Sequence, residues 1–300
     1  MELRVATSSC VALVILGIPA PAGPDGPQMP AGFFVEEIGS DWLLPTGLAF
    51  LDPTHLLVCE RVGRVWLVED DLKKNLVLDL RVETLSNGDR GILGIAIDPD
   101  FAANGWLYLL LVVDPNQDGD DSDSSAFSRL VRFTTAFDVD GNLIADESSR
   151  VNLLGDTWSS GIPSCFPAHA VGTIRFLGDG SLVLSHGDGS HVEPDAGGQD
   201  PDCFEAGRTS PDQDLGSFRS VYEGSLDGKI LRVDPATGLG LPDNPFFDGD
   251  PSSIRSRIYA LGLRNPFRFT VMPGTGPREA LAISDVGANT WEEIDLAFGG

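Results

Sequence analysis

The chain repeats one short unit, an apolar run followed by a turn and a second apolar run. Gly, Asp and Pro are concentrated in the turns. The four copies span residues 47–59, 91–113, 172–185 and 267–283. Further apolar runs follow at Arg64–Val68, Arg129–Phe133 and Lys229–Val233. Short strands repeated in this way are typical of a β-propeller, whose blades are four-stranded sheets around a central channel. The sequence therefore predicts an all-β propeller without a long helix.

The charge balance limits the partners that the chain can bind. It has 45 acidic against 20 basic residues, a formal net charge of −25. Such a surface repels nucleic acid and anionic membranes, so neither is an expected partner. The balance suits a soluble exported protein, or one whose carboxylates hold calcium.

Residues 1–22 have the three parts of a secretory signal peptide. Arg4 supplies the positive region, Val11–Ile18 the apolar core and Ala20–Ala22 a small-residue cleavage site. The apolar core is too short to cross a bilayer, so no membrane span is expected. We expect residues 23–32 to be a disordered Pro/Gly-rich lead-in and residues 33–300 to be the propeller domain. A secreted or periplasmic location follows.

The cysteines are interpreted in that exported context, which permits disulfide bonds. Cleavage of the signal peptide would remove Cys10. Cys165 and Cys203 would close a loop around the third hairpin, whereas Cys59 lies inside an apolar run and is predicted to be a buried free thiol. The cysteine spacings match no zinc pattern, so no zinc is expected.

The third copy of the unit places a histidine and an aspartate at the same end of a hairpin. Its turn, Gly178–Gly180, is centred on Asp179, and His169 and Asp188 lie at nearly equal separations before and after it. An imidazole beside a carboxylate suits a general base with an orienting partner. On this stretch alone the alternative is that His169 caps a strand and Asp188 lies in a polar turn.

In a propeller, the segments before each inner strand and after its partner gather at one face, around the channel. Asp89, His169, Asp188 and Arg264 all lie in such segments. Turn chemistry explains the glycines around them, but it does not explain why a base, a cation and two carboxylates share this position. We therefore predict a site at the channel mouth.

Two acidic segments lie outside the hairpins. Asp114–Asp120 has the D-x-N-x-D-G spacing of a calcium loop, but Ser125 stands where the bidentate Glu is expected. A solvated acidic loop is therefore the favoured interpretation there, and a calcium site is the alternative. Glu193–Gln213 is a long acidic loop that we expect to cover the same face as the site.

The three remaining histidines give weaker signals. His191 follows Asp188 closely and could line the pocket. His55 lies in a turn and His186 beside a strand end, and neither has a partner at a useful spacing. Both are interpreted as structural.

Six segments, in order, resemble the soluble glucose/sorbosone dehydrogenases, also called aldose sugar dehydrogenases. They are GDRGILGIAIDPDF, HAVGTIRFLGDGSLVLSHGDG, SLDGKILRVDPATG, LPDNPFF, IYALGLRNPFRF and SDVGANTWEEIDL. Members of this family are six-bladed propellers that use pyrroloquinoline quinone (PQQ) and calcium. The resemblance covers residues 33–300. It accounts for about four to five blades, so the chain is similar to a C-terminally shortened member.

The resemblance implies a role for each residue that matches a family motif. His169 matches the base that takes the proton of the sugar hydroxyl, and Asp188 matches the aspartate that orients this base. Arg264 and Asn265 match side chains that contact the quinone oxygens, where the arginine stabilises negative charge. Asp89 stands where relatives carry Glu or Gln beside the cofactor.

The resemblance also implies two kinds of calcium ligand. Gly287 and Ala288, the latter a Pro in some relatives, match backbone carbonyls that hold the cofactor's calcium. Glu293 matches a carboxylate ligand of a structural calcium. The implied function is oxidation of an aldose sugar to its lactone, with hydride transfer to PQQ. Electrons would then pass to a separate acceptor, because the sequence has no C-x-x-C-H haem motif.

Two other functions stay open. One is a non-catalytic extracellular binding propeller, as in the hedgehog-interacting proteins of animals, although the joint presence of His169, Asp188 and Arg264 argues against it. The other is a calcium-dependent lactonase. That chemistry needs several carboxylate or Asn side chains on one metal, and we expect only scattered ones at this face.

Overall fold

The structure is a computed structural model that describes residues 30, 32–33, 35, 37–39, 41–69, 72–121, 126–190, 210, 213–276 and 278–298. The chain divides into two units, Met1–Trp42 and Leu43–Gly300, and the strands described below lie in the second. Several sequence predictions fall outside the described residues. They are the signal peptide, most of the lead-in, His191, Cys203 and nearly all of Glu193–Gln213.

Four antiparallel sheets form the blades. The first contains β1 (Pro45–Asp52), β2 (His55–Glu60), β3 (Arg64–Glu69) and β4 (Lys74–Asp79). The second contains β5 (Ile92–Ile97), β6 (Trp106–Val113), β7 (Ala126–Phe137) and β8 (Leu143–Leu154), and β9 (Ile162–Ser164) pairs with β7. The third contains β10 (Val171–Phe176), β11 (Leu182–His186), β12 (Lys229–Val233) and β13 (Ile258–Leu261). The fourth contains β14 (Pro266–Met272), β15 (Ala280–Asp285) and β16 (Glu293–Ala297).

The helical segments of the described chain are short. They are α1 (Phe101–Asn104), α2 (Ile254–Arg257) and the 3-10 segments Trp158–Ser160 and Gly216–Val221. No helix within the described ranges has the length and apolar character needed to span a membrane.

The predicted all-β propeller is confirmed. Each predicted unit is a hairpin of two inner strands, namely β1–β2, β5–β6, β10–β11 and β14–β15. The three further apolar runs lie in β3, β7 and β12. The described chain forms four blades, at the lower end of the predicted range.

The middle strands read as unbroken apolar runs because both of their faces are covered. In β6, Leu107 and Leu109 pack in the core between the first and second blades, whereas Tyr108 and Leu110 pack in the core between the second and third. Successive side chains of a strand point to opposite faces, so a strand between two neighbouring blades buries both sets. A Leu109→Ala change would therefore cost about 2–5 kcal/mol of stability.

Glycines on the inner strands let neighbouring blades approach closely. A Cβ on Gly94 of β5 would lie 2.8 Å from Ile174 Cγ1 in the next blade. A Cβ on Gly172 of β10 would lie 2.8 Å from the carbonyl oxygen of Pro266 in the blade after that. Such contacts are repulsive, so packing around the channel requires Gly at both positions.

One arginine joins inner strands across the channel. Arg268 of β14 donates from Nη2 to the carbonyl of Thr46 in β1 at 2.7 Å, and from Nη1 to the carbonyl of Leu93 in β5 at 3.5 Å. Burial lowers the pKa of Arg268 from its ordinary value. The guanidinium thus fastens the fourth blade to the first and second.

The two cysteines in the described ranges have different states. Cys59 is a free, fully buried thiol, and burial raises its pKa to about 11. The prediction of a buried free thiol is confirmed. The raised pKa disfavours the thiolate, which is the reactive form. Cys165 is disulfide-bonded. Its predicted partner, Cys203, lies outside the described residues.

Candidate active site

The predicted histidine–aspartate pair lies at one end of the third blade. His169 precedes β10 and Asp188 follows β11, and the two strands pair with each other. His169 Nδ1 lies 2.8 Å from Asp188 Oδ1, and the two residues are only 3% and 1% exposed. The position predicted from the hairpin is confirmed, and the catalytic roles stay predictions.

The partners of His169 define the state of its ring. A carboxylate oxygen accepts hydrogen bonds, so Nδ1 is the donor of this pair and Nε2 is the nitrogen that can exchange a proton. No described residue hydrogen-bonds to Nε2 of His169. The ring is therefore fixed at one nitrogen and available as a proton acceptor at the other.

The backbone of His169 is held in an unusual conformation. Its φ of 52° is left-handed, which residues other than glycine rarely adopt. Its N–H donates to Asp89 Oδ2 at 3.1 Å, and its carbonyl accepts from the N–H of Gly189 at 3.1 Å. A Cβ on Gly187 would lie 2.3 Å from the same carbonyl oxygen. Asp89, an exposed residue, is thus placed to fix the backbone of the predicted base.

Asp188 is held by neighbours on both sides. Its Oδ1 accepts from the N–H of Ser190 at 3.0 Å and from the Ser190 hydroxyl at 2.8 Å. Its own N–H donates to the carbonyl of Arg264 at 2.8 Å. The structure therefore places the segment that carries Arg264 directly against the His169–Asp188 pair.

Arg264 and Asn265 form the link between β13 and β14, and the buried carboxylate of Asp285 holds it. Asp285 Oδ2 accepts the N–H of Arg264 at 2.8 Å, and Oδ1 accepts the N–H of Asn265 at 2.6 Å. Arg264 Nη1 donates to the carbonyls of Val286 at 2.9 Å and Gly287 at 3.1 Å. The side-chain amide of Asn265 has no hydrogen-bond partner in the described chain, although the residue is 6% exposed.

The predicted backbone ligands lie in a tight turn after β15. A Cβ on Gly287 would lie 1.6 Å from the carbonyl oxygen of Trp291, so only glycine fits there. The N–H of Gly287 donates to Glu292 Oε2 at 2.9 Å. The Gly287 carbonyl accepts one hydrogen bond and keeps a second lone pair, and carbonyl oxygens of this kind suit a hard cation. Ala288 is exposed at the same turn.

Three carboxylates gather beside this turn. Asp285, Glu293 and Asp295 place oxygens within 4.8 Å of one another. Burial raises the pKa of Asp285, and the carboxylates of Asp295 and Glu293 add to that rise. The expectation of scattered carboxylates at this face is wrong. Antiparallel pairing of β15 with β16 sets Asp285 opposite Glu293, which spacing along the chain does not reveal.

A second histidine–aspartate pair, which sequence reasoning missed, lies in the same blade. His186 Nε2 lies 2.8 Å from Ser128 Oγ, and Nδ1 lies 2.7 Å from the Gly187 carbonyl oxygen and 3.7 Å from Asp227 Oδ1. Since a carbonyl only accepts, Nδ1 carries the hydrogen and Nε2 accepts from the serine hydroxyl. His186 does end a strand, as predicted, but the prediction that it has no partner is wrong.

Lys229 completes this buried cluster. Its Nζ donates to the carbonyls of Arg219 at 2.8 Å and Asp227 at 2.7 Å. Burial lowers the pKa of His186, raises the pKa of Asp227, and lowers the pKa of Lys229 to about 8. All three shifts favour the neutral form, as expected for ionisable groups removed from water.

The acidic loop Asp114–Asp120 is closed by its own first residue. The fully buried carboxylate of Asp114 accepts the N–H groups of Asn116 at 3.2 Å and Gly119 at 2.9 Å. Ser125 lies outside the described residues. Both interpretations of this loop, as a solvated acidic loop or as a calcium site, stay open.

Fold and site together define a β-propeller with a polar site at one end of its blades. The sequence model of the glucose/sorbosone dehydrogenase family matches residues 43–300. The chain therefore belongs to the glucose/sorbosone dehydrogenase family, in agreement with the resemblance of its six motifs.

Solved structures with a similar fold have longer chains. An oxidoreductase of Thermus thermophilus, described as a glucose dehydrogenase, is 25% identical with a TM-score of 0.64, over 88% of this chain and 65% of that one. The PQQ-bound aldose sugar dehydrogenase of Streptomyces coelicolor is 24% identical with a TM-score of 0.60, over 89% and 63%. The apo-form aldose sugar dehydrogenase of Escherichia coli is 19% identical with a TM-score of 0.60, over 88% and 63%. This chain thus spans less than two thirds of the length of these proteins.

Proposed function

We propose that the protein oxidises an aldose sugar to its lactone, with PQQ as the hydride acceptor and calcium as the accompanying cation. The observation that carries the proposal is the set of contacts made by the two ring nitrogens of His169. Asp188 fixes Nδ1 at 2.8 Å, and Nε2 has no partner in the described chain. Family membership and the PQQ-bound relative from Streptomyces coelicolor support the same chemistry.

His169 would act as the general base of the reaction. Nε2 takes the proton of the sugar's anomeric hydroxyl, and the electrons of that O–H bond form the new C=O bond as hydride leaves the same carbon. Asp188 stabilises the imidazolium that results and prevents the ring from rotating. A positioned base of this kind contributes roughly 10²- to 10⁴-fold to a rate.

PQQ, when bound, would supply the two-electron acceptor that protein side chains lack. The residues at the mouth fit such a group. Arg264 offers a cation and Asn265 an uncommitted amide for its oxygens. Gly287 and Ala288 offer carbonyl oxygens for calcium, whose preferred ligands are oxygens. Asp89, next to the backbone of His169, would border the cofactor.

A structural calcium is proposed at Glu293. The three oxygens of Asp285, Glu293 and Asp295 lie close enough to share one cation. We also propose export through the signal peptide at residues 1–22 and transfer of electrons to a separate acceptor. The acidic surface agrees with export.

The test is dye reduction by the full-length protein. We expect PQQ, calcium and an aldose together to reduce an artificial dye. Omission of PQQ or chelation of calcium should abolish the reaction, and added calcium should restore it. Absence of dye reduction with a broad sugar panel would contradict the proposal and favour the non-catalytic binding propeller.

A calcium-dependent lactonase is the second candidate function. The carboxylate group of Asp285, Glu293 and Asp295 is the specific observation in its favour. Hydrolysis needs no electron acceptor, so this candidate predicts calcium-dependent lactone opening without PQQ or dye. The two assays therefore separate the candidates on one protein preparation.

A further inference from the structure

Asp285 makes two hydrogen bonds that are unlike those of the neighbouring carboxylates. Its two oxygens accept the backbone N–H groups of two consecutive residues, Arg264 at 2.8 Å and Asn265 at 2.6 Å. We propose that Asp285 is a positioning residue, which sets the backbone of Arg264 and Asn265 so that their side chains are held at the site. This inference rests on the proposed function and deepens it.

The geometry suits a carboxylate at this position. The link between β13 and β14 has no strand partner for these two N–H groups, and Asn265 is buried. A buried N–H without an acceptor is strongly unfavourable, and two adjacent ones would be more so. Each N–H bonds a different oxygen of Asp285, and bonds to a charged oxygen are the strong ones.

The backbone of Arg264 and Asn265 contacts both the His169–Asp188 pair and the turn of predicted calcium ligands. On one side the carbonyl of Arg264 accepts the N–H of Asp188 at 2.8 Å. On the other side the carbonyl of Asn265 accepts the N–H of Val286 at 3.1 Å, next to the turn of predicted calcium ligands. A displacement at Asp285 would therefore reach both the orienting aspartate and the cofactor side.

Glu293 and Asp295 do not share this role, although they lie close to Asp285. In the described ranges, neither hydrogen-bonds to the backbone of Arg264 or Asn265. Asp285 is also the most buried of the three, at 5% exposure. Burial among like charges is unfavourable for a carboxylate, and the two backbone donors offset that cost.

The experiment measures amide hydrogen exchange in the apo protein, together with PQQ affinity and the split between KM and kcat. In Asp285→Asn, one acceptor oxygen becomes an NH2 group that faces an N–H. Exchange in a peptide containing Arg264 and Asn265 should accelerate about tenfold or more, because a hydrogen bond to a charged group is lost. The Kd for PQQ should rise by a similar factor.

The matched control is Asp234→Asn. Asp234 also accepts two backbone N–H groups, from Ala236 at 3.0 Å and Thr237 at 2.9 Å. It follows the end of β12 that lies away from the site. Both of its N–H partners bond Oδ1, so asparagine keeps the acceptor that they need. Its replacement should leave exchange at Arg264 and Asn265 and the Kd for PQQ unchanged.

Unchanged exchange at Arg264 and Asn265 in Asp285→Asn would overturn the proposal. An acceleration that disappears when calcium is chelated would also overturn it, since Asp285 would then act through a cation.

If Asp285→Asn does not fold, Asp285→Glu keeps the charge with one added methylene. It should accelerate the same amides to a smaller extent, and no acceleration would again overturn the proposal. A wild-type protein without PQQ binding would contradict the proposed function, while the exchange result would still decide the role of Asp285.

Discussion

The third blade holds two histidine–aspartate pairs. They differ in whether Nε2 of the histidine has a hydrogen-bond partner. In His169–Asp188, Nδ1 bonds the carboxylate at 2.8 Å and no described residue bonds Nε2. In His186–Asp227, Nδ1 bonds a carbonyl, the carboxylate lies 3.7 Å away, and Ser128 occupies Nε2. A histidine can serve as a base only when one nitrogen is left for the substrate. The second pair has the residues of a catalytic dyad and the contacts of a structural core.

The largest expected effect is that of His169→Ala on aldose-dependent dye reduction. The rate should fall about 10³-fold or more, because the base is removed. His55→Ala is the control. His55 also pairs with an aspartate, Asp52 at 2.8 Å, but at the hairpin turn of the first blade. Its rate should stay that of the wild type. A loss in His55→Ala equal to that in His169→Ala would contradict the assignment.

Matched aspartate replacements test the comparison directly. Asp188→Asn should lower kcat about 10²-fold, since an amide no longer accepts from Nδ1 as a charged group and can hold the wrong tautomer. Asp227→Asn should change kcat per folded molecule by less than about threefold, because its partner His186 does not reach substrate. Equal losses of kcat in the two variants would mean that both pairs take part in the chemistry.

His186→Ala should act on stability instead of catalysis. The change leaves the buried Ser128 hydroxyl without its partner and opens a cavity, so the free energy of unfolding should fall by about 2–4 kcal/mol. Denaturant unfolding monitored by tryptophan fluorescence measures this loss. The remaining folded protein should keep its kcat, and a kcat as low as that of His169→Ala would place His186 in the reaction.

The smallest expected effect is a pH dependence of the second pair. Burial lowers the pKa of His186 below its ordinary 6.5, so on acidification the unfolded chain binds a proton that the folded chain resists. The stabilisation from neutral His186 is therefore complete above about pH 6.5 and is lost as the pH falls toward the folded pKa. The raised pKa of Asp227 contributes with the opposite sign, and its main cause, burial, is the same in the wild type and in His186→Gln.

Unfolding free energies of wild type and His186→Gln, measured across the acidic range, give the component that belongs to His186. The advantage of the wild type should shrink on acidification, since glutamine does not titrate. An advantage that grows at low pH would mean that His186 becomes charged and forms an ion pair with Asp227.

The features predictable from the sequence are those set by neighbours along one hairpin. His169 and Asp188 flank a single turn, so strand pairing alone brings them together. His186 and Ser128 are 58 residues apart and meet only when the second and third blades stack. Blade stacking depends on the packing of many side chains, which local patterns do not encode.

Asp285 was expected at the channel face, within the segment Asp285–Asn289, but its role was not predicted, for a different reason. It is the last residue of β15, the second strand of the fourth blade. Asp188 lies just after β11, the second strand of the third blade. The signal was therefore present as a repeat of acidic residues at equivalent strand ends. Its role depends on backbone N–H groups of Arg264 and Asn265, and backbone donors carry no mark in the sequence. Side-chain chemistry was predictable here, whereas the carboxylate that holds the backbone was not.

The hydrogen bond from Arg268 to Thr46 has a consequence for the order of folding. The two residues are 222 positions apart, so this contact can form only after nearly the whole described chain has been synthesised. Contacts of such long range slow folding, because the N-terminal strand β1 cannot bond β14 until β14 has been synthesised. The first blade leaves the ribosome first, but its inner strand is among the last to be secured.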